Sequence, residues 1–367
     1  MMRIGVPREI VAGEARVAAT PDTVKRFVGL DLAVCVESGA GLAAGCADAD
    51  YAKVGATIVG SPAEAYACDL VLKIRAPEAQ EIGYLRAGSV LFALADPWRN
   101  PLLEQYAASG IRLMALELPP RITRAQTMDV LSSQANVAGY GAVMLAAARY
   151  PRYFPLLMTA AGTVKAARVL VLGAGVAGLQ AISAARRMGA MVEAFDVRAA
   201  AREQVESLGA RFVAVDISAE GQGGYAKVLD ESDMERLRAA LLPKIAASDV
   251  VIATAQVPGK PAPKLVSAEA VAAMRFGSVL VDLAVGTGGN VEGAKQGETV
   301  TANGAVIIGE SNMPARYAAD ASELFARNIF NFVAALTVNG RLDFGREPEI
   351  VGPATVCRDG ELLFGRT

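Results

Sequence analysis

The chain of 367 residues contains no histidine. That absence removes the Ser-His-Asp triad, the Cys-His pair, the imidazole acid/base and every His-ligated metal site from consideration. Cysteine is scarce too. Cys35, Cys46, Cys68 and Cys357 have no CxxC spacing and do not cluster along the sequence. They read as reduced, mostly buried small hydrophobes of a cytosolic protein, and no metal site or disulfide framework is expected of them. Net charge is nearly absent: 36 Lys plus Arg against 38 Asp plus Glu leave −2, so nothing marks a nucleic-acid or anionic-membrane binder. Mean hydropathy is high, at +0.33, yet no long apolar run is present. The uncharged stretch 169–185 is interrupted by Gly173, Gly175, Gly178, Gln180 and Ser183, which suits a nucleotide-binding turn better than a spanning helix. The start, MMRIGVPREI, sets Arg3 and Arg8 around a strand-sized apolar segment with no secretory h-region.

What the chain has in quantity is small apolar residues. Hydrophobic residues make up 53% but aromatics only 6%, with 36 glycines, as in α/β proteins that pack helices closely on a buried sheet. The length suits two domains. In the opening third, RIGVP, LAVCVES, LVLKI, SVLFAL and RLMALEL are strand candidates, and helical stretches such as PDTVKRFVGL and NPLLEQYAASG lie between them. A helical stretch is expected from about residue 125 to 150. A second series then starts afresh: RVLVLGAGVAG, MVEAFDV, RFVAVD, DVVIATA, SVLVDLA and AVIIGES. Strands alternating with helices predict an α/β fold of two Rossmann-like, doubly wound parallel-sheet domains with a cleft between them. The helical segment SELFARNIFNFVAALTV follows, and Asp359-Gly360 signals a hairpin in the tail. The expected domains are 1–134 plus about 320–367, and 135–319. The tail returns to the first domain or closes the edge of the second sheet.

The sharpest local signal is Gly173-Ala174-Gly175-Val176-Ala177-Gly178, directly after the strand candidate RVLVL and opening the helix candidate VAGLQAISAARRMG. Gly173 makes a tight turn, Gly175 lets backbone approach a pyrophosphate, and Gly178 allows close helix–strand packing. Val176 and Ala177, at the helix start, offer free N–H groups and the positive dipole end to phosphates. The next strand candidate ends at Asp196, about twenty residues on, where an acid meets the adenosine ribose. Asp196 favours NAD, because its carboxylate accepts ribose hydroxyls and repels the 2′-phosphate of NADP. Arg198, just beyond Val197, pulls the other way, since an Arg there accommodates that phosphate. The loops 255–261 and 284–290 are either cofactor walls or ordinary turns. GQGGYAK (221–227) is either a surface loop or a mobile lid that touches bound nucleotide through Tyr225.

These features together resemble the family that joins alanine dehydrogenase to the proton-translocating nicotinamide nucleotide transhydrogenase. The shared marks are RIGVPREIVAGEARVAATP, LVLKIRAP, GAGVAGLQA and VPGKPAPKLVS; PRITRAQTMDVLSSQANVAGY (120–140) and GGYAK are specific to the transhydrogenase branch. The resemblance implies the peripheral NAD(H)-binding component, which passes a hydride from NADH to NADP⁺ on a different component. Membrane-embedded subunits couple that transfer to proton movement. It further implies a homodimer on the cytoplasmic face of the inner membrane, and a chain ending at Thr367 without a membrane span resembles the separate-polypeptide arrangement. Arg121, Gln126, Asp129 and Ser132 match the motif lining the nicotinamide end. If the stretch is helical, Gln126, Asp129 and Ser132 share one face at three-residue spacing, and Arg121 pairs with Asp129 or reaches the cofactor. The alternative is a solvated polar face. Gly224 and Tyr225 match the family's mobile loop; Ala255 and Val257 match residues packing around the cofactor.

The missing histidine separates the branches. Alanine dehydrogenases of this family use a His beside an Arg and a Lys to move protons. Arg16 and Lys73 match the Arg and Lys, but Asp96 stands where the His aligns, so the pair reads as structural. Hydride transfer between two nicotinamides needs no titrating side chain, and Gln126, Arg121, Asp129 and Ser132 then serve as positioning groups. Two rivals remain: a free-standing amino-acid dehydrogenase in which Lys73 or Asp96 moves the proton, and a non-enzymatic NAD-sensing module.

Overall fold

A computed structural model describes residues 1–217, 229–257 and 259–365. They form two compact units, one of Met1–Gln134 with Pro314–Thr367 and one of Ala135–Met313. The strands, in chain order, are β1 (Arg3–Val6), β2 (Ala33–Glu37), β3 (Thr57–Val59), β4 (Leu70–Arg75), β5 (Val90–Leu94), β6 (Arg112–Ala115), β7 (Leu157–Thr159), β8 (Gly162–Val164), β9 (Arg168–Leu172) and β10 (Met191–Phe195). They continue as β11 (Arg211–Phe212), β12 (Val250–Ala253), β13 (Val279–Asp282), β14 (Thr299–Ala302), β15 (Ala305–Gly309), β16 (Thr337–Val338), β17 (Arg341–Leu342), β18 (Thr355–Arg358) and β19 (Glu361–Leu362).

The first unit holds an eight-stranded sheet ordered β19-β18-β6-β5-β4-β1-β2-β3. From β3 to β6 all pairings are parallel. The sheet is covered on both faces, which explains why β4 and β5 read as unbroken apolar runs. Helix Ala318–Leu336 returns to this unit and buries Phe325, Ile329 and Phe332 in its core. The ring of Phe332 meets Phe92 edge-on at 5.1 Å. The tail pairs antiparallel with β6 through β18, and Asp359 (φ 53°) with Gly360 (φ 82°) turns it into β19. Those left-handed angles are what an Asp-Gly hairpin turn demands.

The second unit holds a seven-stranded sheet ordered β11-β10-β9-β12-β13-β15-β14. Its pairings are parallel except at the β14 edge. Strand order reverses between β9 and β12, and the carboxyl ends of strands at such a reversal are where α/β sheets bind ligands.

Several local expectations are corrected. Residues 123–128 form a 3₁₀ turn, and the α-helix starts only at Val130, running to Arg149. The strand expected over 211–216 pairs for only two residues. Two hairpins, β7–β8 and β16–β17, and the antiparallel β14 join the expected elements. Cys35 and Cys68, distant in sequence, share a small apolar cluster with Val59 and Ala65.

Candidate nucleotide site

The glycine-rich turn follows β9 at the reversal. Gly173 has φ 96°, a left-handed conformation that disfavours a side chain, and a Cβ on Gly178 would lie 1.8 Å from the Gly173 carbonyl oxygen. Gly178 thus lets helix Val176–Arg187 sit directly on the turn. Gly175 precedes that helix, and a Cβ there would meet open space. Val176 and Ala177 form its first turn, half-buried, where backbone N–H groups have no intrahelical acceptor.

Three side chains brace this turn and the neighbouring strand ends. Asp196 Oδ2 accepts from the Ala174 N–H at 2.8 Å. The Thr254 hydroxyl donates to the Gly173 carbonyl at 3.0 Å. Fully buried Asn290 accepts from the Ala255 N–H through Oδ1 at 3.0 Å, and its Nδ2 donates to the Ala255 carbonyl at 2.9 Å and to the Pro263 carbonyl at 2.8 Å. Ala255 is held on both sides of its own backbone. Beyond β13, buried Asp282 accepts from the N–H groups of Ala284 and Val291, each at 2.8 Å, which braces the loop leading to Asn290. Burial pushes the Asp282 carboxyl up despite these bonds.

Asp196 is also tied to Arg198. Its Oδ1 accepts from the Arg198 backbone N–H and from Nε, both at 2.9 Å, and Oδ2 accepts from Nη2 at 2.9 Å. The Asp196 hydrogen bonds push the Arg198 guanidinium further up. Val197 and Ala255 pack, partly buried, against one apolar cluster of the second unit, and Val257 is half-buried. Gly224 and Tyr225 lie outside the described residues.

In the first unit, Asp129 caps the long helix. Its carboxylate accepts from the Ser132 backbone N–H at 2.9 Å and from the Ser132 hydroxyl at 2.6 Å, and its carbonyl accepts from the Ser133 N–H. Asp129 and Ser132 are thereby one hydrogen-bonded unit. Gln126 belongs to the preceding 3₁₀ turn, so the expected single helical face for the three residues is replaced by a turn followed by a cap. Gln126 and Arg121 are exposed.

The other expected polar residues are held by their own chain. Arg16 donates from Nε and Nη2 to Glu14 at 2.7 and 2.6 Å, and from Nη1 to Gln134 at 2.8 Å. Lys73 pairs with Glu81 at 2.7 Å and lies 3.6 Å from Glu9. Asp96 pairs with Arg99 at 2.8 Å. Glu117, which no motif announces, accepts through Oε1 from the N–H groups of Ala95 and Asp96 at 2.8 and 2.5 Å. Among the described residues its buried Oε2 has no hydrogen-bond partner, and burial pushes its carboxyl up to about 7. A cavity of about 120 Å³ between Tyr150, Arg168 and Asp249 lies at the amino ends of β9 and β12, away from the glycine-rich turn. Among the described residues no helix is long and apolar enough to cross a membrane.

The family described as "Alanine dehydrogenase/PNT, N-terminal domain" matches residues 5–138, and "Alanine dehydrogenase/PNT, C-terminal domain" matches residues 142–365. The chain is 42% identical over 368 residues to NAD(P) transhydrogenase subunit alpha of Haemophilus influenzae, an alignment that covers 99% of this chain and 72% of that protein. It is 32% identical over 373 residues to the alanine dehydrogenase of Halomonas elongata, with 99% and 95% covered. The crystal structure of transhydrogenase from Sinorhizobium meliloti matches with a TM-score of 0.88 at 43% identity, covering 100% of both chains.

Proposed function

The chain belongs to the alanine dehydrogenase/PNT family, and we propose that it is the NAD(H)-binding component of a proton-translocating NAD(P) transhydrogenase. The observation that carries this reading is a braced dinucleotide turn at the sheet reversal in a chain without histidine, whose Arg16 and Lys73 are already neutralised by Glu14 and Glu81. NADH, as substrate, supplies the hydride, and NADP⁺ bound on a partner component receives it.

The chain's own work is to hold and orient. The N–H groups at Val176 and Ala177 face the pyrophosphate, and Gly173, Gly175 and Gly178 give backbone access to it. Asp196 meets the adenosine ribose. Ala255 and Val257 wall the dinucleotide, and Gly224 and Tyr225 are further candidates for contact with it. Arg121, Gln126 and the Asp129–Ser132 cap orient the nicotinamide. None of these groups has to titrate, so the translocated proton is handled by membrane subunits, which hold this chain at the cytoplasmic face of the inner membrane. A second copy completes the component, and the exposed Leu156, Leu157 and Met158 at β7 supply an apolar surface for contact.

The test mixes the purified chain with its NADP(H)-binding partner and measures reduction of an NAD analogue by NADPH. Reduction is expected, with no NADH formed from NAD and a panel of amino acids. Strong turnover of alanine without transfer between nucleotides would overturn the proposal, and nucleotide binding without any transfer would leave a sensing module.

A further inference from the structure

Two of the four cysteines lie side by side in the first unit. Gly5 of β1 is the register partner of Cys35 on β2, and parallel partners turn their side chains to the same face of the sheet. On that face the segment following helix Pro62–Tyr66 fills the space that a Gly5 side chain would need. A Cβ on Gly5 would lie 1.8 Å from the Ala65 carbonyl oxygen and 3.2 Å from Cys68 Cβ. The glycine thus lets Cys68 settle beside Cys35. The two share an apolar cluster with Val59 and Ala65, in which Cys68 is 0% and Cys35 5% exposed. Burial and the adjacent Cys35 thiol push the Cys68 thiol up to about 12. Cys46 and Cys357 pack against other clusters of that unit.

Arg3 connects the pair to solvent. Its exposed guanidinium donates through Nη2 to Cys35 Sγ at 3.4 Å, and this bond, with the nearby charges of Cys68 and Cys35, pushes the guanidinium up. A cysteine beside a cation at the surface is placed to react, whereas a thiol sealed among apolar groups is inert. Cys35 is therefore the entry sulfur. Cys68, whose Sγ donates to the Glu64 carbonyl at 3.8 Å, waits behind it.

We propose that Cys35 and Cys68 form a modification site at which a hydroperoxide converts the adjacent thiols into a disulfide that a small thiol reduces again. With hydrogen peroxide, the Cys35 sulfur attacks one peroxide oxygen, the O–O bond breaks, a sulfenic acid forms and water leaves with the thiol proton. Cys68 then attacks the Cys35 sulfur. The S–O bond breaks, the S–S bond forms, and the Cys68 proton leaves with the hydroxide as a second water. Two electrons pass from the two sulfurs to the peroxide. Because Cys68 stands alongside, the sulfenic acid is consumed before further oxygen is added. The site stands apart from the nucleotide turn, and the inference does not depend on that reading.

The experiment treats the reduced full chain with hydrogen peroxide under native conditions and alkylates the remaining thiols after denaturation. The chain is then digested with trypsin and a glutamate-specific protease, which cuts at Glu37 between Cys35 and Cys46. A peptide holding Cys35 is expected to be joined to one holding Cys68, about 2 Da lighter than the two thiol peptides together and separated by dithiothreitol. The alkylated cysteines should fall from four to the pair Cys46 and Cys357. Cys68→Ala is expected to leave a sulfenic acid on Cys35 that dimedone traps, and Cys35→Ala to leave none on Cys68. A chain that keeps all its thiols, a link through Cys46 or Cys357, Cys35 carried to its sulfinic acid without a link, or the reverse dimedone pattern would overturn the inference. The wild-type link decides the matter if circular dichroism shows either variant to fold poorly.

Discussion

Lys73 Nζ lies 2.7 Å from Glu81 Oε1, with the lysine side chain 0% and the glutamate side chain 5% exposed. The Tyr66 hydroxyl donates to the same oxygen at 2.8 Å. A pair this deep adds little net stability when whole, but losing one partner strands a charge. Glu81→Gln is expected to destabilise the chain by about 3 kcal/mol, and Lys73→Met/Glu81→Gln by clearly less. Urea unfolding midpoints test this. A Glu81→Gln loss below about 1 kcal/mol would mean that Glu9, at 3.6 Å, suffices for Lys73.

Glu117 should leave a mark on the pH dependence of stability. Its folded carboxyl titrates near 7 against an ordinary value of 4.5, because it is buried. The folded chain then holds this proton more tightly than the unfolded chain. Its contribution to stability falls as pH rises from about 4.5 to about 7 and is level above that. Glu117→Gln, neutral at every pH, is expected to be more stable than the wild type by about 2 kcal/mol at pH 8, with the difference vanishing near pH 5. Denaturant titrations at the two pH values decide it, and a difference independent of pH would count against a buried titrating carboxyl.

Two substitutions separate the structural role of the Asp129–Ser132 cap from the positioning role proposed for it. Asp129→Ala removes the acceptor for the Ser132 N–H and should cost about 1 kcal/mol of stability as well as slow hydride transfer. Asp129→Asn preserves the cap, so stability should return while transfer in the reconstituted complex stays slow. Wild-type transfer in Asp129→Asn would reduce the residue to a helix cap.

Asn290 is expected to matter far more than an uncharged loop residue ordinarily does. Asn290→Asp replaces two donors with an acceptor aimed at the carbonyls of Ala255 and Pro263, in a site with no exposure. A cost of about 3 kcal/mol follows from those unpaired buried groups. NADH affinity should fall with it, since Ala255 loses its brace. Calorimetric melting and nucleotide binding check both, and a variant that melts normally would refute the brace.

Much of the fold could be read from local pattern because the parallel strands are buried on both faces. VLVL after Arg168 and VLFAL from Val90 are unmistakable as sequence. The Asp359-Gly360 turn carries its own geometry in its residue types. Asn339-Gly340, with φ 48° and 69°, carries the same signal for β16–β17 and could have been found by it. Strand β14, an exposed edge of alternating burial, has no apolar run to announce it. At the site, the glycine-rich turn and Asp196 are legible because their spacing is local. Asp129 with Ser132 three residues on is also a cap signal, hidden here by a helical composition that begins upstream at Ala125. The Asn290–Ala255 brace joins residues 35 apart, and the bond from the Ala174 N–H to Asp196 depends on where β9 and β10 end. Neither leaves a trace in residue order.

The discontinuity of the first unit reverses the order of completion relative to synthesis. Residues 1–134 leave the ribosome first, yet their core lacks Phe325, Ile329 and Phe332, and β6 lacks its neighbour β18, until the segment from Pro314 has been made. The contiguous unit 135–313 has no such wait. A chain truncated after residue 313 therefore carries a finished second unit behind an open first one, with apolar surface around Phe27 and Phe92 still uncovered. Chaperone demand and protease sensitivity during translation fall on the half that was made earliest.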